Sequence, residues 1–431
     1  MIRKLKRVYK QGLLIFLLLL CLRTMVNISR MRFEPRIRVV PTPPVRALLP
    51  SELMKELNET AHDYPRVVST VELVGPGIDP RTEMLRNLTI RELSTLFAFT
   101  CDLRESFMDR FVSDKEQSLV KRYKYMQEAS LVRTVVEVSL PPPLLVNKSH
   151  ANAITLLTQL TSDRTYMLDI IQKRWEGPIV AVVYAMDIIN KHKQLSNWLT
   201  NVGRDNIKIL LVKKQGVLYP VNWLRNLALS RADSKYIFVT DGDFVPSLRL
   251  YRVLLKHLND LEKAGRTNTV LIVPAFEMLI STMKTPGTRD ELLRDYKLGL
   301  VDYFHRAAWP AAHNVTDFTK WKTATKPYVL PRQKPCNDIF EPYVVMSKQK
   351  SPYFPETLLE RRKNKIAYQY ELCMSGFEYM VIHDGFLIHK HHPESMRASA
   401  KVEKCVEIAW EVFKTFLHAR HPKDYYKVEV V

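Results

Sequence analysis

From about Ala151 onward, short apolar runs alternate with amphipathic stretches, and this alternation constrains the fold more than any other feature of the chain. The apolar runs are rich in β-branched residues and have the length of buried strands, while the stretches between them repeat with helical period. Such alternation favours an α/β domain with a largely parallel central sheet. Ligands of such sheets bind beyond the carboxyl ends of the strands, so residues that directly follow a predicted strand are the first candidates for a functional site.

The apolar runs predict seven strands, at Ile179–Tyr184, Ile207–Val212, Tyr236–Thr240, Thr269–Phe276, Tyr343–Met346, Tyr379–Ile382 and Phe386–His389. The amphipathic stretches predict helices at Asp163–Arg174, Ile188–Thr200, Val221–Ala232, Ser247–Ala264, Arg289–Leu298, Asn364–Ser375 and Val402–His418. Residues 51–140 have helical patches at Leu93–Phe111 and Lys115–Glu128 but no recognisable motif.

The strand predicted at Tyr236–Thr240 is followed by Asp241-Gly242-Asp243. In an extended chain, residues i and i+2 point to the same side, so the two carboxylates repel each other unless they are solvated or share a cation. Gly242 leaves the backbone free to turn and lets a ligand approach closely. A polar turn that closes the strand is the alternative, but the position favours a metal site held by Asp241 and Asp243.

The segment before this strand, YPVNWLRNLA at Tyr219–Ala228, brings Asn222, Arg225 and Asn226 close together if it is helical. A guanidinium suits a phosphate or a carboxylate, and an amide suits a base or a ribose. These residues are therefore candidates for binding a nucleotide. The alternative is an ordinary amphipathic helix with a solvated arginine.

Three histidines, His389, His391 and His392, follow the last predicted strand in the segment DGFLIHKHHP. Alternation places His389 and His391 on one side. We expect His389 to be the third ligand of the cation held by Asp241 and Asp243, and mixed carboxylate and imidazole ligands suit Mn²⁺ better than Ca²⁺. The alternatives are a basic loop and a zinc site, and the latter would indicate a hydrolase.

The N-terminus predicts a membrane anchor. Residues 1–10 are basic and form a predicted cytosolic tail, residues 11–28 contain the unbroken apolar run Gly12–Leu22, and no Ala-x-Ala-like cleavage site follows. A cleaved signal peptide and a buried helix are the alternatives. Residues 29–150 are interpreted as a stem, rich in Arg and Pro up to Pro50, and an accessory region. The first fifty residues carry half of the net charge of +20, so the rest is only mildly basic and no nucleic acid partner is expected.

Sequons at Asn58, Asn87, Asn147 and Asn314 favour a lumenal body with N-glycans. Four cysteines follow the anchor, Cys101, Cys336, Cys373 and Cys405, and they allow three complete pairings that the sequence does not distinguish. Buried thiols are the alternative. The absence of a Cys-x-x-Cys pair argues against a cysteine zinc site.

Taken in order, the motifs resemble one family. YPVNWLRNLA, the strand ending in Asp-x-Asp, VPAFE (Val273–Glu277), FEPYVV (Phe340–Val345) and GFLIHK (Gly385–Lys390) are similar to the LARGE-type and β-1,4-glucuronyltransferase 1 family of Golgi glycosyltransferases. Ile154–Gly177 also looks like the opening segment of that family. The resemblance covers about Ala151–Tyr426 and is nearer to the glucuronyltransferase branch.

The resemblance implies a GT-A fold with a Rossmann-like central sheet at residues 151–426, behind the anchor and stem of a single-pass type II Golgi membrane protein. It implies transfer of a sugar, expected to be β-linked glucuronic acid with inversion, from a UDP-sugar to a glycan or glycoprotein acceptor. Asp241, Asp243 and His389 would hold Mn²⁺ on the donor diphosphate. Asp241 would also contact the nucleotide-sugar, together with the residues of the YPVNWLRNLA segment, Asn222, Arg225 and Asn226. The implied catalytic base is Glu371, and Glu277, Glu341 and Glu360 are its rivals.

The chain departs from the family at LLERRKNK (Leu358–Lys365), where Glu360 and Arg362 replace glycine in a stretch expected to shape the acceptor pocket. With Arg361, Arg362 and Lys363 facing that region, an acidic acceptor is expected. The same change supports an alternative function, a catalytically silent member that acts as partner or chaperone of an active glycosyltransferase.

Overall fold

The computed structural model describes residues 68–74, 79, 131, 133–140, 152–216, 218–281, 284–332, 336–360, 362–392 and 400–421. The predicted tail, anchor and stem, three of the sequons (Asn58, Asn87 and Asn147), Cys101 and the two helical patches before residue 131 lie outside these residues. Among the residues that are described, no helix has the length and apolar character needed to cross a membrane.

The described residues form a ten-stranded sheet and a four-stranded sheet with helices packed around them. The strands are β1 (Val68–Val74), β2 (Arg133–Ser139), β3 (Ile154–Thr161), β4 (Ile179–Ala185), β5 (Ile207–Lys213), β6 (Tyr236–Asp241), β7 (Phe244–Pro246), β8 (Thr269–Val273), β9 (Ala275–Met278), β10 (Val301–Tyr303), β11 (Tyr328–Val329), β12 (Tyr343–Ser347), β13 (Glu378–Val381) and β14 (Leu387–His389). The α-helices are α1 (Tyr166–Arg174), α2 (Ile188–Val202), α3 (Val221–Ser230), α4 (Leu250–Lys263), α5 (Arg289–Lys297), α6 (Phe318–Thr323), α7 (Asn364–Met374) and α8 (Ala400–Arg420). The predicted α/β class is confirmed, and each predicted helix is present with small shifts at its ends.

The large sheet has the order β1-β2-β5-β4-β3-β6-β12-β8-β13-β11. Strands β5, β4, β3 and β6 are parallel, and β8 and β13 are parallel, but the other neighbours in this sheet are antiparallel. The expectation of a largely parallel sheet is therefore wrong. Strand β12 accounts for two of the antiparallel pairs, because it enters the sheet beside the end of β8, with Tyr343 opposite Val273, and runs against both neighbours.

The strand predicted at Thr269–Phe276 is two strands, because Pro274 interrupts it and proline cannot donate to a ladder. Strand β8 ends before Pro274 in the large sheet, and β9 begins after it in the small sheet, whose order is β10-β9-β14-β7. In the small sheet, β7 pairs with β14 so that Phe244 lies opposite His389. This pairing carries the end of β14 to the point where β6 ends.

Helices cover both faces of the large sheet. Helix α4 shows the helical period that predicted it, since Leu250, Leu254, Leu258 and Leu261 are buried on one side. Together with α1 and α2 it packs on one face, and α3, α6 and α7 pack on the other. Fully burying a leucine-sized side chain stabilises a fold by about 1.5–3 kcal/mol, so these two layers hold the sheet rigidly at the site.

A disulfide joins Cys336 to Cys373 near the end of α7, which settles part of the pairing that the sequence leaves open. Cys405 of α8 is buried outside that bond, in the same cluster as Trp410 and Leu417. The disulfide ties α7 to the segment that contains Cys336, and the cluster packs α7 against α8.

Candidate functional site

The site begins where β6 ends. Asp241 is the last residue of β6, and Gly242 and Asp243 form a tight turn before β7. A Cβ atom at Gly242 would lie 2.1 Å from Leu160 Cδ2 and 2.7 Å from the carbonyl oxygen of Gln159. No side chain fits there, so glycine is required for β6 to turn this closely over β3.

Asp241 accepts hydrogen bonds from four protein donors. Arg225 Nη2 lies 2.7 Å and Gln159 Nε2 3.1 Å from Oδ1, while Tyr343 Oη lies 2.8 Å and Lys365 Nζ 2.9 Å from Oδ2. Burial by itself would raise the pKa of Asp241, but the charges of Lys365 and Arg225 outweigh it and hold the pKa well below its usual range. Asp241 is therefore ionised at neutral pH, and both of its oxygens are occupied by protein donors.

Asp243 lies in a different environment. Its Oδ2 lies 3.0 Å from His392 Nε2, 3.6 Å from His389 Nε2 and 3.0 Å from Arg164 Nη1. Arg164 Nη1 is also 3.0 Å from His392 Nε2. Burial would raise the pKa of Asp243, but the hydrogen bonds from His389 and His392 outweigh it and lower the pKa. This carboxylate is also ionised, and its neighbours on one side are imidazoles.

Asp243, His389 and His392 form a group that fits a metal ion. Their ligand atoms all lie within 4.8 Å of one another, and each residue is partly buried. One carboxylate and two imidazoles are a donor set for a divalent transition metal. Asp241 is not in this group, and His391 is exposed. The alternation argument expects His391 beside His389, but β14 ends at His389 and the chain then turns, so His392 takes that position.

Aromatic and imidazole rings form the walls of this site. Phe244 and Phe304 pack on His389, with ring centroids 5.2 and 5.0 Å away. Burial and the charge of Lys365 together lower the pKa of His305 to about 4, and burial lowers the pKa of His313 well below its usual value. Both histidines are therefore neutral at neutral pH.

Among the rivals for the catalytic base, Glu277 is the carboxylate that lies beside His389 in the small sheet. It lies in β9 directly opposite His389 in the parallel pairing with β14, so the two side chains share a face of the small sheet. Burial raises the pKa of Glu277, although the charge of His389 opposes this. Glu341 is fully buried near Lys365, with 3.5 Å between Oε2 and Nζ, and burial raises its pKa.

The structure does not bring Glu371 to the site. It is buried, and its Oε1 lies 3.9 Å from Arg420 Nη1 of α8. Lys365 is on the same helix six residues earlier, a rise of about 9 Å at ~1.5 Å per residue. The geometry therefore gives no support to Glu371 as the base.

Asn222 and Asn226 also differ from their predicted role, because neither side chain has any exposed surface. Asn226 donates to the carbonyl of Phe354 and to Glu356, at 2.8 and 2.9 Å, and accepts from the Phe354 N–H at 2.8 Å. Asn222 donates to the carbonyl of Pro355 at 2.9 Å. Both asparagines thus hold the segment 354–356 on α3, in positions where a nucleotide cannot reach them.

The segment that departs from the family pattern contacts α8. Arg362 lies 3.1 Å from Glu403 of α8, and Lys363 Nζ lies 5.5 Å from the centre of the Trp410 ring. Both cations thus contact α8, the expectation that they face the acceptor region stays a prediction, and Arg361 is outside the described residues. Unlike them, Lys365 of the same segment does reach the site.

Glu360 keeps a backbone conformation that favours glycine, with φ of 64°. Its N–H donates to the Tyr219 carbonyl at 2.9 Å, and its Oε1 accepts from the Tyr219 N–H at 2.7 Å. Glu360 therefore joins this segment to the start of α3 and is not placed as a base.

The sequence reasoning missed Arg164, Tyr343 and Lys365 as site residues. Tyr343 and Lys365 lie within segments that the motif comparison singled out, FEPYVV and LLERRKNK, so a search for donors to Asp241 could have included them. Arg164 follows β3, whose carboxyl end was not recognised as a strand end.

The remaining predicted site residue, the sequon Asn314, is exposed in a short turn after β10.

Residues 193–422 match the family model described as glycosyl-transferase for dystroglycan. The chain is 34% identical over 277 residues to the xylosyl- and glucuronyltransferase LARGE1 of Danio rerio and to that of Homo sapiens, which covers 62% of this chain and 36% of each relative. It is 35% identical over 277 residues to LARGE2s of Gallus gallus, with the same coverage. The chain thus spans about a third of the length of these relatives.

Two solved structures are similar in a looser sense. S. aureus TarS 1–349 has a TM-score of 0.34 and 12% identity, covering 54% of this chain and 60% of that one. GalNAc-T7 with UDP, GalNAc and Mn²⁺ has a TM-score of 0.41 and 10% identity, covering 64% of this chain and 51% of that one. The family model matches more than half of the chain, so the resemblance to the LARGE type is confirmed: the chain belongs to the family of glycosyl-transferases for dystroglycan.

Proposed function

We propose that the chain is a glycosyltransferase of GT-A type that moves a sugar from a UDP-sugar to a glycan or glycoprotein acceptor with the help of a divalent cation. The observation that carries the proposal is the group formed by Asp243, His389 and His392, at the carboxyl end of β6. It lies where α/β sheets bind ligands, and the cations Arg164 and Lys365 stand beside it.

The donor set of Asp243, His389 and His392 fits a divalent transition metal, and the family resemblance favours Mn²⁺ as that ion. When bound, such an ion neutralises the charge that develops on a leaving diphosphate. Arg164 contacts both Asp243 and His392, and its guanidinium can turn to the diphosphate instead, where it would bind two oxygens at once. Asp241 keeps Arg225 and Lys365 in place behind the site.

Glu277 is the base that the geometry favours. In the transfer, the acceptor hydroxyl oxygen bonds to the anomeric carbon, the bond from that carbon to the diphosphate oxygen breaks, and the hydroxyl proton passes to a carboxylate. Glu277 shares a face with His389, and its raised pKa suits a proton acceptor better than the depressed pKa of Asp241 or Asp243.

The relatives are named xylosyl- and glucuronyltransferases, which supports xylose or glucuronic acid as the donor sugar, and the motif resemblance favours β-linked glucuronic acid with inversion. A Golgi membrane location with a single-pass type II topology is supported by the basic and apolar N-terminus, by the Cys336–Cys373 disulfide and by the exposed sequon Asn314. A partner glycosyltransferase remains a proposal that rests on the family alone.

The test is release of UDP by the full-length chain from a panel of UDP-sugars with Mn²⁺, with and without EDTA. Release from one UDP-sugar that EDTA abolishes supports the proposal and names the donor. Asp243→Asn should abolish it, while Asp205→Asn, an exposed aspartate in a turn, should not. If no UDP-sugar reacts and UDP with Mn²⁺ does not bind, the proposal is wrong and the alternative, a silent family member that assists an active enzyme, is favoured.

A further inference from the structure

A second group of metal-binding side chains lies outside the site described above. His257 is buried in α4, and its Nε2 lies 2.7 Å from Asp384 Oδ1. His383 Nδ1 lies 3.6 Å from the same oxygen. The three ligand atoms are all within 4.8 Å of one another, and none of these residues belongs to the group around Asp243.

One of these ligand atoms has its bonding capacity unused. His383 Nδ1 is buried and has no hydrogen-bond partner among the residues that the structure describes. Buried polar atoms in folded proteins have partners as a rule, so such an atom calls for a ligand, an ion or a water. His383 Nδ1 lies near Asp384 Oδ1, the oxygen that His257 Nε2 also contacts. A cation placed between these three atoms would be bound by all of them.

The three residues are held firmly. The residue before His383 is fixed because Trp321 Nε1 donates to the carbonyl of Ile382 at 2.9 Å. The residue after Asp384 is Gly385, where a Cβ atom would lie 2.5 Å from Leu250 Cδ1. The turn is therefore packed directly on α4, the helix that carries His257. Ligands fixed by their surroundings bind a metal without the cost of ordering them.

The group opens onto a cavity of about 420 Å³. Besides the three ligands, the charged residues that line the cavity are three cations, Lys256, Arg266 and Lys326, and one carboxylate, Asp260. These cations would disfavour a bare dication but would stabilise an anion bound to it. Three protein ligands with an open fourth position are typical of zinc sites that take a water or another ligand.

We propose that His257, His383 and Asp384 form a second metal site, for Zn²⁺ or a similar transition metal, with its open position towards the cavity. Two imidazoles and one carboxylate suit Zn²⁺ and do not suit Ca²⁺ or Mg²⁺, which prefer oxygen. The ion would tie α4 to the turn that leads into β14. It would therefore stabilise the strand that ends at His389 without taking part in sugar transfer.

The experiment is a titration of the metal-free, full-length chain with Zn²⁺, with Co²⁺ as a spectroscopic probe of the coordination. Four proteins are compared: the wild type, Asp243→Asn, Asp384→Asn, and the double variant. We expect two, one, one and no equivalents of tightly bound Zn²⁺, respectively. His383→Gln should weaken the second equivalent at least tenfold, and His391→Gln, a change at an exposed histidine outside both groups, should have no effect.

Thermal melting gives a second readout that does not depend on activity. Zn²⁺ should raise the melting temperature of Asp243→Asn but not that of the double variant, since only a ligand of the folded state stabilises it. Loss of all Zn²⁺ binding in Asp243→Asn would overturn the second site, and so would a second equivalent that survives in both Asp384→Asn and His383→Gln. Neither result depends on whether the chain transfers sugar.

Discussion

Replacing Lys365 by methionine tests whether the charge arrangement behind the site is necessary for the fold. Lys365 Nζ lies 2.9 Å from Asp241, 2.8 Å from the Tyr343 hydroxyl and 3.5 Å from Glu341. Methionine keeps most of the apolar stem and removes the charge. The partly buried Asp241 and the buried Glu341 would then have one cation nearby, Arg225, which forms an ion pair with Asp241.

Breaking a buried ion pair by removing one partner costs about 3–5 kcal/mol. Because Arg225 still compensates Asp241, we expect Lys365→Met to cost about 3 kcal/mol at neutral pH, at the lower end of that range. In a domain of this size, each 1 kcal/mol lowers the melting temperature by about 2–4 °C, so the expected decrease is about 6–12 °C. Lys363→Met is the matched control, since Lys363 lies on Trp410 away from both carboxylates, and it should cost less than about 1 kcal/mol.

The pH dependence of this loss has a definite sign. Burial already raises the pKa of Glu341 above its unfolded value, and Lys365 opposes that rise. Without Lys365 the pKa rises further, so ionising Glu341 costs more stability as the pH rises above about 4.5. The loss caused by Lys365→Met should therefore be smaller at pH 5 than at pH 7.5. Calorimetric melting of both variants at the two pH values measures it. Equal losses for Lys365→Met and Lys363→Met at pH 7.5 would refute the reasoning.

Three further predictions follow from the site and the disulfide. His392→Ala should weaken Mn²⁺ binding by about 10–100-fold in a metal titration, whereas His391→Ala should leave it unchanged. Glu277→Gln should lower kcat by about 10²–10⁴ without a matching rise in KM, and Asp302→Asn, its neighbour in β10, should have a much smaller effect on turnover. Cys336→Ser should lower the free energy of unfolding by about 3–4 kcal/mol in denaturant titrations, because it opens a loop of 37 residues, and a reducing agent should not weaken the variant further.

The strands that the sequence predicted are those whose residues are mostly apolar, such as β4 and β5. Strand β3 was recognised only as part of a family segment, because Thr155, Thr158 and Gln159 interrupt its apolar pattern. The structure explains two of them: Thr155 donates to Ser234 at 2.7 Å, and Gln159 donates to Asp241. Buried polar residues with specific partners are invisible to a periodicity argument, since their partners are distant in sequence.

Among the site residues, the local sequence predicted those whose positions follow directly from the pairing of strands. Asp243 and His389 come together because β7 and β14 pair. The sequence predicts both as metal ligands, and their binding of a metal stays a prediction. Asn222 and Asn226 were correctly placed on a helix, but spacing within a helix does not show which neighbour covers it. The segment 354–356 covers them, 128 residues or more along the chain. Such contacts depend on tertiary packing alone.

The two carboxylates of Asp241-Gly242-Asp243 have different partners, and the turn between them is the cause. In a continued strand both side chains would point to one side and would have to share a cation. Strand β6 instead ends at Asp241, which remains among the donors of α3, α7 and β12. Gly242 turns the chain closely over β3, and Asp243 faces the end of β14. Asp241 is thus neutralised by two protein cations, whereas Asp243 contacts one cation, Arg164, and two imidazoles. A metal ion gains most from a carboxylate that lies beside imidazoles able to bind the same ion, so Asp243 is the carboxylate whose loss should remove metal binding. Loss of Asp241 should instead disturb Arg225 and Lys365, and it should lower stability as well as activity.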